Sequence, residues 1–529
     1  MKKLLLFAFA CGIIADANCA TARIDGVTWT YYVSGGAAII GNQEFVGVET
    51  EPAVTTTTRG EITIPSSVYS YPVTRISGYA FSGCIGLTSV TIPEGVTRIG
   101  RYAFRDCSGL TSMAIPSSVK SIDPSAFEGC SGLKTVTIPS GVTSIESCTF
   151  DGCNGLTSVT IPEGVTRIGS SAFRDCSGLT SVTIPSGVTS IESGTFDGCS
   201  ELKTVTIPEG VTSIEHRAFY GCGGLASVTI PSNVRSIAQE AFFGCSGLTS
   251  LTIQSNVTSI GKSAFSGCSG LTSVTIPACV TRMSTTFPDS YKRIQEVEIC
   301  EGVMDIGYSA FEGCCGLTLV VIPSSVASIG RDAFSGCSEL TSVTVSPRVT
   351  SIGVNAFSGC ESLTRVDMQS LADWLCVSLA NGAANPLYTG AALYVGGEEV
   401  TELVIPNGTA EIGEYAFAGG QFTSVTIPDS VTNVAATAFV GCENIVKVSL
   451  GSTLFNEDKY TLETLFPDSY ASIRSVLLGD GFKEIGRGMF AGCASLEAFA
   501  VPQKVTRIGT DAFLGCDAIK RVDVASVGQ

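Results

Sequence analysis

The chain is poor in the residues on which most chemistry depends. It has one histidine, two tryptophans and six methionines among 529 residues, and only 15% of its residues are charged. The single histidine, His216, leaves no imidazole pair for a metal, and any Ser-His-Asp or Cys-His set would need that one residue as its base. Basic residues are short as well: 31 Lys and Arg against 48 Asp and Glu give a net charge of −17 and a pI near 4.6. The scattered cations form no stripe for a phosphate backbone, so no nucleic acid partner is expected. The glycines lack the lysine and the strand-helix setting of a phosphate loop, and no cofactor is expected.

Long apolar runs are also missing. The one candidate, Leu4 to Ala15, ends at Asp16, well short of the ~20 residues that span a bilayer. With Met1-Lys2-Lys3 before it and small residues from Ala17 to Ala22 after it, residues 1–22 have the layout of a secretory signal peptide, cleaved after Ala20 or Ala22. The mature chain is therefore expected to be secreted or at the cell surface, with no transmembrane segment.

What is abundant is repetition. Phenylalanine recurs every 23 residues at Phe81, Phe104, Phe127, Phe150, Phe173, Phe196, Phe219, Phe242 and Phe265. A fixed period of this length means stacked supersecondary units sharing one interior. In the unit Leu156 to Gly178, LTSVTIPEGVTRIGSSAFRDCSG, the alternation of Val159 and Ile161 predicts a strand with one buried face. Pro162 ends it, Val165 and Ile168 add a second apolar pair, Gly169 permits a turn, and Ala172-Phe173 with Cys176 predicts a single helical turn.

This unit resembles the BspA-like class of leucine-rich repeats, L-x-x-L-x-L-P-x-x-V-x-x-I-G-x-x-A-F-x-x-C-x-x, over most of residues 60 to 525. The resemblance implies an α/β solenoid, a right-handed leucine-rich repeat stack with a parallel β-sheet along one side and short helical turns opposite. Residues 23–60 fall outside the pattern and alternate like a hairpin, which predicts an N-terminal β cap. The array then runs over 61–360 and 403–529. Variant rungs begin near Thr285 and Thr464, both carrying F-P-D-S-Y (Phe287 to Tyr291 and Phe466 to Tyr470). Residues 361–402 interrupt the period, either as an exposed recognition element or as one looped-out rung with its own small core.

Fifteen of the 22 cysteines follow the repeat phenylalanine by three residues. One position repeated in every rung predicts a column of buried thiols with parallel side chains, acting as small fillers and weak donors, in preference to systematic disulfides. The off-register Cys148, Cys279, Cys300, Cys315 and Cys376 are the better bridge candidates. On the strand's outer face Thr91, Thr137, Thr160, Thr183, Thr206, Thr229, Thr252 and Thr275 form a column broken at Ala114. Stacked threonines suit a sheet surface in any case. As a functional feature they would offer a flat hydroxyl face to a protein, a glycan or ice, and the change to Glu298, Val321, Thr344 and Asp367 argues against an ice template. Thr137, Thr160, Thr183, Thr206 and Thr229, with Trp374, Tyr388 and Tyr394 from the interruption, are the candidate binding residues. The resemblance implies a non-enzymatic surface protein that adheres to host or matrix proteins. The competing readings are a passive envelope spacer and an enzyme whose chemistry lies in residues 361–402.

Overall fold

Each rung opens with a strand because its first residues are β-branched. In the computed structural model, which describes residues 19–42, 52–455 and 459–524, Ser158–Thr160 pairs in parallel with Thr135–Thr137 one period back, Val136 beside Val159 and Thr137 beside Thr160. Pro162 has no N–H to continue the ladder. Its carbonyl instead accepts from Val165 N at 3.0 Å, closing a tight turn. A second strand of two residues, Arg167–Ile168, pairs with Ser144–Ile145. Each regular rung thus adds one strand to each of two parallel ladders, with Leu156, Val165, Ile168, Phe173 and Cys176 buried between them in this one.

The Ala172-Phe173 segment departs from the expected helical turn. Ser171 and Asp175 take left-handed backbone, at φ +55° and +56°, which stops a helix on both sides of the phenylalanine. The N–H groups alternate in direction. Ala172, Arg174 and Cys176 donate three residues back, at 3.1 to 3.2 Å, while Phe173 and Asp175 donate to the next rung, to Thr195 O at 2.9 Å and Asp197 O at 2.7 Å. The turns therefore form a third ladder. α-Helix is confined, among the described residues, to three single turns: α1 (Met283–Thr286), α2 (Leu371–Trp374) and α3 (Leu462–Leu465).

The chain divides into two compact units, residues 1–225 with 237–245 and residues 226–236 with 246–529. In the first, β1 (Ala20–Ile24), β2 (Val27–Ser34) and β3 (Ala37–Ile40) form an antiparallel meander, and β3 pairs in parallel with Tyr71–Ile76. This meander converts to the parallel stack and closes its end. Trp29, fully buried, meets Phe81 edge-on at 6.2 Å. The leader-like run lies outside the described residues up to residue 18, as do cap residues 43–51. From Phe81 to Phe242 the rings stack at 4.9 to 5.7 Å with interplanar angles of at most 14°.

The cysteines run beside the rings as expected. Cys107 Sγ donates to Phe81 O at 3.0 Å, and the same bond recurs at 3.1 to 3.3 Å for Cys130, Cys153, Cys176, Cys199, Cys222 and Cys245 in the first unit and Cys337, Cys360 and Cys442 in the second. All described cysteines are free thiols, the off-register Cys148, Cys279, Cys300, Cys315 and Cys376 included. Burial pushes Cys84 up to about 11 and Cys314, Cys360, Cys442 and Cys493 up to about 12, so these five thiols stay protonated and unreactive near neutral pH. Maleimide at pH 7 is thus expected to label exposed Cys376 in the native protein and the ladder only after denaturation. Thiol counting in denaturant without reductant should return fifteen or more, and a count near zero would overturn the ladder.

In the second unit the F-P-D-S-Y rungs keep the stack while replacing the short second strand and the turn with a helical turn. Phe287 and Phe466 are buried and continue the ring column at a tilt, 5.3 Å and 36° from Phe265 and 5.0 Å and 49° from Phe439. The helical N–H groups of Met283 and Leu462 reach the next rung, at Ala310 O (2.8 Å) and Met489 O (2.9 Å).

Residues 361–402 are woven into the same unit. Arg365–Met368 pairs in register with Ala392–Val395, and Ser378–Leu379 with Ser351–Ile352, so both strands of a rung survive. Only the turns change, to α2 and the 3-10 segments Gly382–Ala384 and Pro386–Thr389. These supply no backbone donor for carbonyls of the following turn, and two buried side chains take over. Trp374 Nε1 donates to Ala416 O at 2.7 Å, and Asn385 Nδ2 donates to Tyr415 O at 2.7 Å, with Ala416 O and Ala418 O at 3.3 and 3.4 Å. Glu398–Glu399 then folds back antiparallel on Tyr394–Val395 and ends that sheet.

Candidate binding face

The rung presents threonine in three columns, and their hydroxyls are not equivalent. One column precedes the strand. There Thr157 Oγ1 donates to Lys134 O at 3.1 Å and Thr180 Oγ1 to Thr157 O at 3.3 Å. A second precedes the two-residue strand, where Thr212 Oγ1 donates to Thr189 O at 3.1 Å. In both, most hydroxyls follow the rung-to-rung ladder and are bound to the preceding rung's carbonyl; Thr143 and Thr189 in the second column are exceptions. The third column lies on the strand itself, where the sheet already uses the neighbouring carbonyls and the side chain stands away from them. It holds Thr137, Thr160, Thr183 and Thr206 in the first unit and Thr229 in the second. All five are exposed, and their hydroxyls meet no hydrogen-bond partner among the described residues. Register aligns Thr137 with Thr160, Thr183 with Thr206, and Thr229 with Thr252 and Thr275.

Further along the sheet of the second unit the column becomes Glu298, Val321, Thr344, Asp367 and Tyr394. Thr275 Oγ1 donates to Glu298 Oε2 at 3.0 Å. Beside exposed Glu296 and Glu298, Leu319 and Val321 stand 45% and 51% exposed. This apolar pair is a feature missed as a site by sequence reasoning, although the Thr-to-Val change at 321 signals it. Arg365 forks onto Asp367 with both bonds at 2.6 Å, and this pairing raises the guanidinium pKa further. The guanidinium lies 3.8 Å over the Tyr394 ring, whose hydroxyl reaches Glu399 at 3.3 Å. Tyr394 is thereby fixed on the same outer face as Thr229.

Trp374 and Tyr388 stand elsewhere. Trp374 is 2% exposed and is a structural donor, so it is removed from the binding surface. Tyr388 is 49% exposed on the turn side, where it borders an open cleft of about 330 Å³ with Phe357, Ser358, Gly359, Glu361 and Thr389. His216 is exposed and places Nδ1 3.0 Å from Gln239 O, beside the Arg217–Glu240 ion pair at 2.7 Å. Among the described residues no group of three or more His, Cys, Asp or Glu is placed to hold a metal ion, and no helix is long and apolar enough to cross a membrane.

No curated protein matches the sequence. Among solved structures, a leucine-rich repeat protein from Bacteroides ovatus is 23% identical, over 94% of this chain and 93% of its own, with a TM-score of 0.34. A leucine rich cell surface protein from Faecalibacterium prausnitzii is 27% identical over 69% of this chain and 99% of its own, with a TM-score of 0.33. A T. pallidum leucine rich repeat protein is 29% identical over 37% of this chain and 87% of its own, with a TM-score of 0.33. The family model described as "BspA type Leucine rich repeat region (6 copies)" matches residues 56–180, 166–291, 284–374 and 390–520. With most of its length matched, the chain belongs to the BspA-type leucine-rich repeat family.

Proposed function

We propose that the chain is an exported scaffold that binds protein at a cell surface, by adhesion to host or matrix proteins, and that it performs no catalysis. One observation carries this reading: on the strand face Thr137, Thr160, Thr183, Thr206 and Thr229 all leave their hydroxyls without a partner among the described residues, whereas in the other two columns most hydroxyls are tied to a carbonyl of the preceding rung. Free hydroxyls and methyls on the strand face of the first unit, and in the second unit Thr229 on one sheet with Leu319, Val321 and Tyr394, each offer mixed polar and apolar contacts that suit a protein, or a glycan on one. Export follows from the leader-like residues 1–22. Because Ala22 is buried in β1 opposite Trp29, cleavage after Ala20 is favoured over cleavage after Ala22.

The test is surface plasmon resonance of the mature protein against fibronectin, laminin and collagen. Thr160→Arg with Thr183→Arg, and separately Val321→Glu, are expected to weaken the interaction about tenfold or more with an unchanged thermal midpoint. Binding that ignores all three substitutions would remove the site from this face. Failure to bind any matrix protein would leave the passive spacer as the better reading.

A further inference from the structure

In the interior of the second unit's turn ladder the Gly359 N–H has no acceptor among the described residues. In regular rungs the residue two beyond the phenylalanine donates its N–H to the carbonyl one beyond the next phenylalanine: Gly129 to Asp151 O at 2.7 Å, and Gly198 to Tyr220 O, Gly313 to Ser335 O and Gly336 to Ser358 O at 2.8 Å. The two F-P-D-S-Y rungs take that carbonyl away and put a carboxylate in its place. Gly267 N donates to Asp289 Oδ2 and Gly441 N to Asp468 Oδ2, both at 2.6 Å, shorter than the carbonyl bonds as a charged acceptor makes them. The chain solves the same problem identically at two separate interruptions, and both carboxylates are solvent-exposed.

The third interruption follows Gly359. Its φ of +73° matches +75° at Gly336 and +78° at Gly267, so the peptide keeps the ladder geometry. The carbonyl due to meet it is that of Asn385, which has turned into the following 3-10 segment and accepts from Tyr388 N at 3.1 Å. No acceptor among the described residues replaces it. Gly359 lines instead the open cleft of about 330 Å³ walled by Ser358, Ala383, Tyr388 and Thr389.

We propose that this cleft docks an acidic protein segment whose aspartate or glutamate carboxylate accepts the Gly359 N–H, as Asp289 and Asp468 do for Gly267 and Gly441. The internal precedents define the ligand, an Asp flanked by aromatic residues as in Phe-Pro-Asp-Ser-Tyr. Tyr388 supplies an aromatic wall for such a partner. Recognition is local: the cleft also contains Glu361, exposed at its rim, and the chain as a whole carries −17. Repulsion from Glu361 therefore opposes the ligand, and its removal tightens binding.

The experiment titrates the full mature chain into a fluorescein-labelled, C-terminally amidated peptide Thr-Thr-Phe-Pro-Asp-Ser-Tyr, read by anisotropy. Saturable binding is expected, about tenfold weaker when the peptide carries Asn in place of Asp, the loss of one charge-assisted hydrogen bond. Glu361→Gln is expected to tighten binding about threefold, a gain that misfolding cannot imitate, and Tyr388→Ala to abolish it with the thermal midpoint unchanged. Equal affinity of the Asp and Asn peptides, no gain from Glu361→Gln, or no binding at millimolar protein overturns the proposal. Acetate that displaces the peptide at equal concentration overturns the assignment to a peptide.

Discussion

Raising the pH from about 8 to about 11 is expected to unfold the protein, steeply. Burial pushes Cys314, Cys360, Cys442 and Cys493 up to about 12, whereas an unfolded thiol titrates near 8.5, to within about a unit. A thiol raised in this way stabilises the fold fully below the unfolded value. Above it the unfolded chain has released the proton and the folded chain has not, so the contribution drains away until the folded value is reached. Each such thiol lowers the unfolding free energy by about 1.4 kcal/mol per pH unit, and four together by about 5 kcal/mol per unit. Whole domains hold only about 5–15 kcal/mol. Cys130, Cys176 and Cys222, raised further still by burial and by their neighbours in the column, add to the slope. Urea titrations at pH 8, 9 and 10 measure it. Cys442→Ala should reduce the slope for its unit by about 1.4 kcal/mol per pH unit, and a stability that stays flat to pH 10 would show that the thiols are not held in a dry interior.

The stack itself is legible in the sequence because its interior uses the same side chains at the same spacing. Phe173 and Cys176 are recognisable as fillers simply because Phe150 and Cys153 precede them by one period. What stays hidden is where the backbone hydrogen bonds go. Ala172-Phe173 reads as a helical turn when one rung is considered alone. The structure bends it through left-handed Ser171 and Asp175 because the Phe173 N–H belongs to the neighbouring rung. F-P-D-S-Y is legible as a second unit type, but not that its aspartate stands in for a missing carbonyl.

The same blindness explains the site. Trp374 reads as an exposed aromatic because it lies outside the repeat. It is buried because the Ala416 carbonyl has lost its usual donor. The outward threonine column is legible from alternation alone. That Thr160 is free while the equally exposed Thr157 is tied to Lys134 O is not, since both are threonines on the surface of one rung.

Phe173→Ala is expected to cost about 3–5 kcal/mol and to divide the unfolding transition of the first unit. The ring is fully buried between Phe150, at 5.5 Å and 7°, and Phe196, at 5.7 Å and 3°. Truncation removes two stacking contacts as well as the buried area, and the rigid strands on either side hold the cavity open. The backbone bonds are spared: Phe173 N still donates to Thr195 O, and the Phe173 carbonyl still accepts from Cys199 Sγ at 3.1 Å. The loss is therefore one of packing, and Phe173→Leu should recover more than half of it. In a stack each rung is stabilised only by its neighbours, so weakening one interface uncouples the rungs before it from those after it. Urea unfolding followed by circular dichroism should change from one transition to two, with a smaller m-value in each. A single transition displaced by less than about 1 kcal/mol would mean that the phenylalanine column is decoration on a fold held by its β ladders alone.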